Sequence, residues 1–131
     1  IVEVEKEVVV EKEVIVEVEA EAEEMGPVVV FGAFGWLAPR YTMSVLDLKQ
    51  GESEMGISEV RASVGALFVA LGVGCLIIGT PAAYLMMGVA YAGASLGRAT
   101  SLALDNPPRT KALVYFGIEA TMAAWLIAAN S

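Results

Sequence analysis

Glu119 is the residue in this 131-residue chain best placed to do chemistry. It stands near the centre of Ala112–Ala128, a stretch with no other charge. A carboxylate in such a setting needs a partner or a changed protonation state. Arg98 is the expected partner. It lies seven residues before Asp105, and Glu119 lies nine after Thr110. In a helical hairpin those offsets put both about 10–13 Å from the same loop end. Arg61 enters from the same side, so the expected intramembrane polar cluster is Arg61, Arg98 and Glu119. Tyr84, Gly88, Tyr91, Ser95 and Arg98 share one helix face by spacing, which adds hydroxyls. Two chemistries are open: a proton relay or polar pocket built on Glu119, or an ion pair that sets helix register. A proton path ordinarily carries several acids, and this stretch has one, which favours the structural reading.

Composition removes most other chemistry. The chain has no histidine and a single cysteine, Cys75. That excludes a histidine base, a histidine or multi-cysteine metal site, an internal disulfide, and ligation of haem or iron–sulfur clusters through those residues. No phosphate loop, dinucleotide fingerprint or nucleophile elbow is present. Cys75 reads as a small packing residue, and Trp36 and Trp125 as packing or interface aromatics. The chain is not expected to be an enzyme. No cofactor is expected, and bound lipids or pigments would leave no signature in the sequence.

The elements that must position Glu119 read as membrane helices. Hydrophobic residues make up 56% of the chain. A spanning helix needs roughly 20 apolar residues. Segments at about 62–80, 81–104 and 112–128 approach that length, the second with Arg98 inside it. A fourth, about 25–38, is short unless its helix starts earlier, around Ala20–Met25. Gly79-Thr80-Pro81 reads as a tight turn between helices, and Asp105-Asn106-Pro107-Pro108 as a breaker. Between the first two spans, Tyr41–Lys49 has the spacing of a short interfacial helix, and Ser58 is placed to cap the span that follows. The fold class is all-α: a small antiparallel transmembrane bundle of three to four spans within residues 25–131.

Small residues recur every four positions at Ala62, Ala66, Ala70 and Gly74, the expected helix-packing seam. Shorter rows occur at Gly88/Ala92, Gly93/Gly97 and Ala120/Ala124/Ala128. The basic residues gather in the loops 39–61 and 105–111. Positive-inside logic puts those loops on the cytoplasmic or equivalent side and both termini on the opposite one, in a multi-pass protein.

The net charge of −8 comes from an acidic arm, residues 1–24, which holds ten Glu and two Lys. Residues 25–131 balance six acids with six bases. No basic patch offsets the arm, so nucleic acid is not an expected partner. Within the arm, valine and glutamate alternate, which suits an extended strand with one apolar and one acidic face, although glutamate and lysine also favour helix. A lone strand is unstable and disorder is the default for so biased and charged a segment, so an ordered arm is expected to be held by a partner protein.

From residue 39 onward the chain resembles a family of small four-helix integral membrane proteins known only as a domain of unknown function. The resemblance rests on Leu46-Asp47-Leu48, on Ser58-Glu59-Val60-Arg61-Ala62 leading to Gly65, on Gly97-Arg98 with Leu102–Asn106, and on Glu119. It departs in its short first helix and its acidic arm. It implies a fold and a membrane location and no particular reaction. The expected function is a non-catalytic accessory subunit of a larger membrane complex, such as a photosynthetic or respiratory energy-transducing assembly. Its partners would be other membrane subunits, with the arm contacting one of them, and membrane lipids. The alternative is a small transporter or ligand-binding bundle that uses Glu119, Arg98 and Arg61.

Overall fold

A computed structural model describes the backbone of residues 2–131, and it is helical throughout, with no strand among the described residues. Helix α1 runs Val2–Leu37 and α2 runs Pro39–Val45. Helix α3 is continuous over Met55–Ile78, with a π-helical stretch at Val60–Ala66. Helices α4, Pro81–Leu104, and α5, Arg109–Asn130, complete the chain. The chain divides into two compact units. One is Glu19–Ile78; the other comprises α1 up to Val18 and Gly79–Ser131.

The acidic arm corrects the extended expectation. Residues 2–24 are the first half of α1, and the helix passes through residue 24 without a break. The alternation of valine and glutamate demands a strand only if a neighbouring strand covers the valine face. Without one, glutamate, lysine and alanine favour helix, and no glycine or proline intervenes before Gly26-Pro27. Residues 3–16 are exposed on every side of that helix.

Within the first unit, α1 buries one stripe: Glu21, Met25, Val28, Gly32 and Gly35, spaced alternately by four and three. This stripe starts well before residue 25, so the packed part of α1 is longer than its apolar composition indicates. Helix α3 buries Ile57, Val60, Gly65, Gly72 and Cys75. The two stripes cross at glycines. A Cβ on Gly65 would overlap the backbone of Gly35 and Trp36, and one on Gly32 would stand 2.9 Å from the amide nitrogen of Val69. A Cβ on Gly72 would meet Val29 Cγ2 at 2.7 Å. Only glycine permits backbones to lie this close.

The expected seam of Ala62, Ala66, Ala70 and Gly74 is therefore not the crossing. Ala62 and Ala70 are exposed, Ala66 and Gly74 are half-buried, and a Cβ on Gly74 would meet nothing within 4 Å. Two physical reasons account for this. A four-residue step drifts about 40° around a helix of 3.6 residues per turn, so four such positions do not stay on one face. The π-helical stretch, with its wider turns, shifts the register again between Ala62 and Leu67.

Helix α1 ends at Leu37 because Pro39 has no amide hydrogen and restricts the residue before it; Ala38 sits at φ −125°, ψ 60°. Helix α2 is shorter than the Tyr41–Lys49 expected. It closes with Leu48 N–H donating to Met43 O at 2.8 Å and Asp47 N–H to Ser44 O at 3.2 Å. That is a Schellman turn, with Asp47 at φ 60° where glycine is usual. Met43 packs on Ile57 and Val60, with Val64 against them. Ser58 is not a cap, since α3 begins earlier at Met55; Ser53 Oγ instead accepts from the Met55 amide at 3.3 Å.

In the second unit, Gly79 turns at φ 63° and Pro81 takes the first position of α4, as the Gly79-Thr80-Pro81 motif implies. Helices α4 and α5 form a hairpin across the loop at 105–108. A Cβ on Gly88 would lie 2.9 Å from Leu126 Cβ and from Ile127 Cγ1. Gly93 and Gly97, by contrast, face open space.

Large apolar side chains point outward. Ile77 and Leu104 are each 79% exposed, and Leu96 is 70% exposed. Two helices, Met55–Ile78 and Arg109–Asn130, are long and apolar enough to cross a membrane.

Candidate functional site

The hairpin brings Arg98 and Glu119 together. Arg98 Nη2 donates to Glu119 Oε1 at 2.6 Å, and Arg98 Nε donates to Oε2 at 3.1 Å. This is a bidentate fork, the strongest form of charged hydrogen bonding between side chains. Helix direction explains how residues at unequal offsets from the loop meet. Side chains lean toward the N-terminus of their own helix. Arg98, on α4 running toward the loop, reaches away from it. Glu119, on α5 running away from the loop, leans back toward it. The long arginine stem covers the remaining difference.

The Arg98 guanidinium carbon also lies 5.3 Å from the centre of the Tyr115 ring, in cation–π range. Tyr115 is one turn before Glu119 on α5, so ring and carboxylate come from one face. The side chain of Glu119 is 15% exposed and that of Arg98 35%. Tyr91, half-buried on α4, is close enough to interact electrostatically with Glu119. The Ser95 hydroxyl is spent locally, donating to the Tyr91 carbonyl at 3.0 Å. Tyr84, farther along the same face, is 1% exposed.

Arg61, the third member of the expected cluster, takes no part in that fork. Its Nη1 donates to the carbonyl of Trp36, in the last turn of α1. Carbonyls at a helix C-terminus lack amide partners, and the break before Pro39 leaves this one open. A cation there also matches the negative end of the helix dipole. Arg61 is thus a cap that ties α3 to the end of α1.

Three features escaped sequence reasoning. Tyr115 is one; its position four before Glu119 was the available signal. The glycine crossing of α1 and α3 is the second. The third is Glu21, fully buried on α1 and within electrostatic reach of Cys75 on α3. It reads as part of the acidic arm, yet it stands four residues before Met25 and seven before Val28, in phase with the buried stripe. Among the described residues, no three histidine, cysteine, aspartate or glutamate side chains converge to hold a metal ion.

The arrangement can do two things chemically. It clamps two helices by a directional charged contact, and it presents one side of a guanidinium to its surroundings. Residues 27–130 match a family described as a domain of unknown function, DUF4345. The match begins before residue 39, so it takes in most of the first apolar segment, and it runs to Asn130. No curated protein and no solved structure matches the chain. From Pro27 to Asn130, then, including the Arg98–Glu119 clamp and the glycine crossing, this chain belongs to the DUF4345 family.

Proposed function

We propose that this protein is a multi-pass integral membrane protein acting as a non-catalytic structural subunit of a larger membrane assembly. The observation that carries the reading is the Arg98–Glu119 fork. Each carboxylate oxygen is engaged by the same guanidinium, so the pair neutralises itself and fixes helix register. A relay carboxylate would instead need to gain and lose a proton along a path. The many large apolar side chains exposed on each of α3, α4 and α5 support a lipid or protein surround.

In this reading α3 and α5 span. Helix α4 spans with Arg98 held by Glu119, and α1 spans from about Glu21 to Leu37. The basic loops 39–61 and 105–111 face the cytoplasm or its equivalent, with both termini opposite. The acidic helix ahead of Glu21, exposed on all sides over residues 3–16, is the contact to a partner subunit.

Native mass spectrometry after gentle extraction tests this. The chain is expected to travel with larger components, and deletion of residues 1–18, which keeps Glu21, is expected to weaken that association. A chain that travels alone in both forms overturns the subunit reading. Glu119→Gln is expected to leave assembly largely intact. Loss of a measurable ion or solute flux in that variant, with assembly unchanged, would establish the transporter reading instead.

A further inference from the structure

The fork uses only part of Arg98. A guanidinium carries five N–H donors. Nε and Nη2 each give one to Glu119, and Nη1 has no hydrogen-bond partner among the described residues. The side chain is 35% exposed, with the Tyr115 ring near it. Lys111 stands four residues before Tyr115 and eight before Glu119, so it is offset around α5 by about 40° from the first and about 80° from the second. Lys111 is half-buried and makes no ion pair among the described residues. Arg98 is six residues from the end of α4, about 9 Å of helix rise, and Lys111 is in the first turn of α5. The guanidinium of Arg98 meets Glu119 and Tyr115, so it lies beside α5 one to two turns beyond Lys111, in the loop-proximal half of one hairpin. Asp105 and Arg109 at that loop offset each other in formal charge, as Arg98 and Glu119 do, so Lys111 leaves the hairpin end with a local excess of one positive charge.

We propose that the free edge of Arg98, together with Lys111, binds a phosphate oxyanion, that of an anionic lipid headgroup. This rests on the membrane reading above. Acyl chains offer a guanidinium no acceptor, whereas phosphodiester oxygens match its planar, paired donors. The Tyr115 ring supplies the amphipathic wall common at headgroup level. The carboxylate of Glu119 neutralises one side of the guanidinium and leaves the other directed at the ligand.

The test uses the purified full chain in a neutral detergent, with three probes: phosphatidylglycerol, phosphatidylcholine and inorganic phosphate. Lipid retention is read by native mass spectrometry and stability by thermal unfolding. Phosphatidylglycerol is expected to be preferred over phosphatidylcholine by about fivefold or more, the factor associated with one basic residue near a charged headgroup. Lys111→Gln is expected to remove about that factor. The paired variant Arg98→Gln/Glu119→Gln, which removes both charges together, is expected to abolish the preference. Protection by millimolar inorganic phosphate, lost in the same variants, would support the oxyanion site with a soluble anion as its source. Equal retention of both lipids without phosphate protection overturns the proposal, as does a preference unchanged in both variants. If the chain stays dissolved and folded without detergent, the membrane reading fails separately, and the phosphate arm still decides the site.

Discussion

The two units of this protein hold helices together by different physics. In the α4–α5 hairpin, a charged fork between Arg98 and Glu119 fastens the loop-proximal part, and Gly88 lets the far part close on Leu126 and Ile127. In the α1–α3 pair, the fastening is the absence of side chains: Gly32, Gly35 and Gly65 let backbones touch, Gly72 makes room for Val29, and Arg61 caps the end. The contrast follows from connectivity. A hairpin with a short loop already holds its helices near each other, so a single directional bond suffices to choose their register. Helices α1 and α3 are separated by α2 and a polar loop, so they need a broad surface match, which glycine supplies through many small dispersion contacts.

This contrast can be broken at the crossing first. Gly65→Ala puts a methyl group into the backbone of Gly35 and Trp36, where no flexible side chain can yield. The loss is expected to be about 3 kcal/mol or more, at or beyond the upper end for overpacking. Circular dichroism during thermal unfolding in mild detergent is the check, and a variant as stable as the parent would remove the glycine crossing as the fastening.

The clamp comes next. Glu119→Ala leaves Arg98 without its counter-charge. The arginine is partly exposed, so the loss is expected to be about 2 kcal/mol, below the range for fully buried pairs. The double variant Arg98→Leu/Glu119→Leu is expected to recover most of it, because apolar groups in an apolar surround need no partner. A double variant no better than the single one would mean that the pair contributes more than mutual neutralisation.

Gly88→Ala probes the far end of the hairpin. The added methyl would press on Leu126, Ile127 Cγ1 and the Ile127 amide, contacts that are partly side-chain and able to give. A loss of about 1–2 kcal/mol is expected, smaller than at Gly65. Similar losses at the two sites would erase the distinction between backbone and side-chain closure. The smallest effect, and one of opposite sign, belongs to Gly74→Ala. Open space surrounds that position, so helix propensity dominates, and a gain of up to about 1 kcal/mol is expected. A clear loss there would reinstate the Ala62–Ala66–Ala70–Gly74 row as a packing surface.

Much of the local structure was legible in the residues. The Gly79-Thr80-Pro81 turn and the Asp105–Pro108 break follow from backbone restrictions that act within a few residues. The meeting of Arg98 with Glu119 was legible for a related reason: across a short loop, sequence offset translates into height. Other features were not. The seam at Ala62, Ala66, Ala70 and Gly74 came from periodicity alone, and the π-helical stretch shifts that periodicity. Arg61 was grouped with an acid, whereas it donates to the backbone carbonyl of Trp36, which is open only once α1 has ended beside α3. The arm's alternation pointed to a strand, yet a strand needs a neighbour and a helix does not.

By itself, the sequence determined that the body beyond the arm is helical, apolar and charge-balanced, where its helices break, and that a lone mid-helix acid must find a cation. Each of these depends on solvation or on backbone geometry close along the chain. Tertiary structure alone decided which glycines touch, that Glu21 is enclosed while its acidic neighbours Glu23 and Glu24 are exposed, and that one edge of Arg98 stays open. Those depend on where two helices cross, and a crossing is set by surfaces far apart in sequence meeting at contact distance.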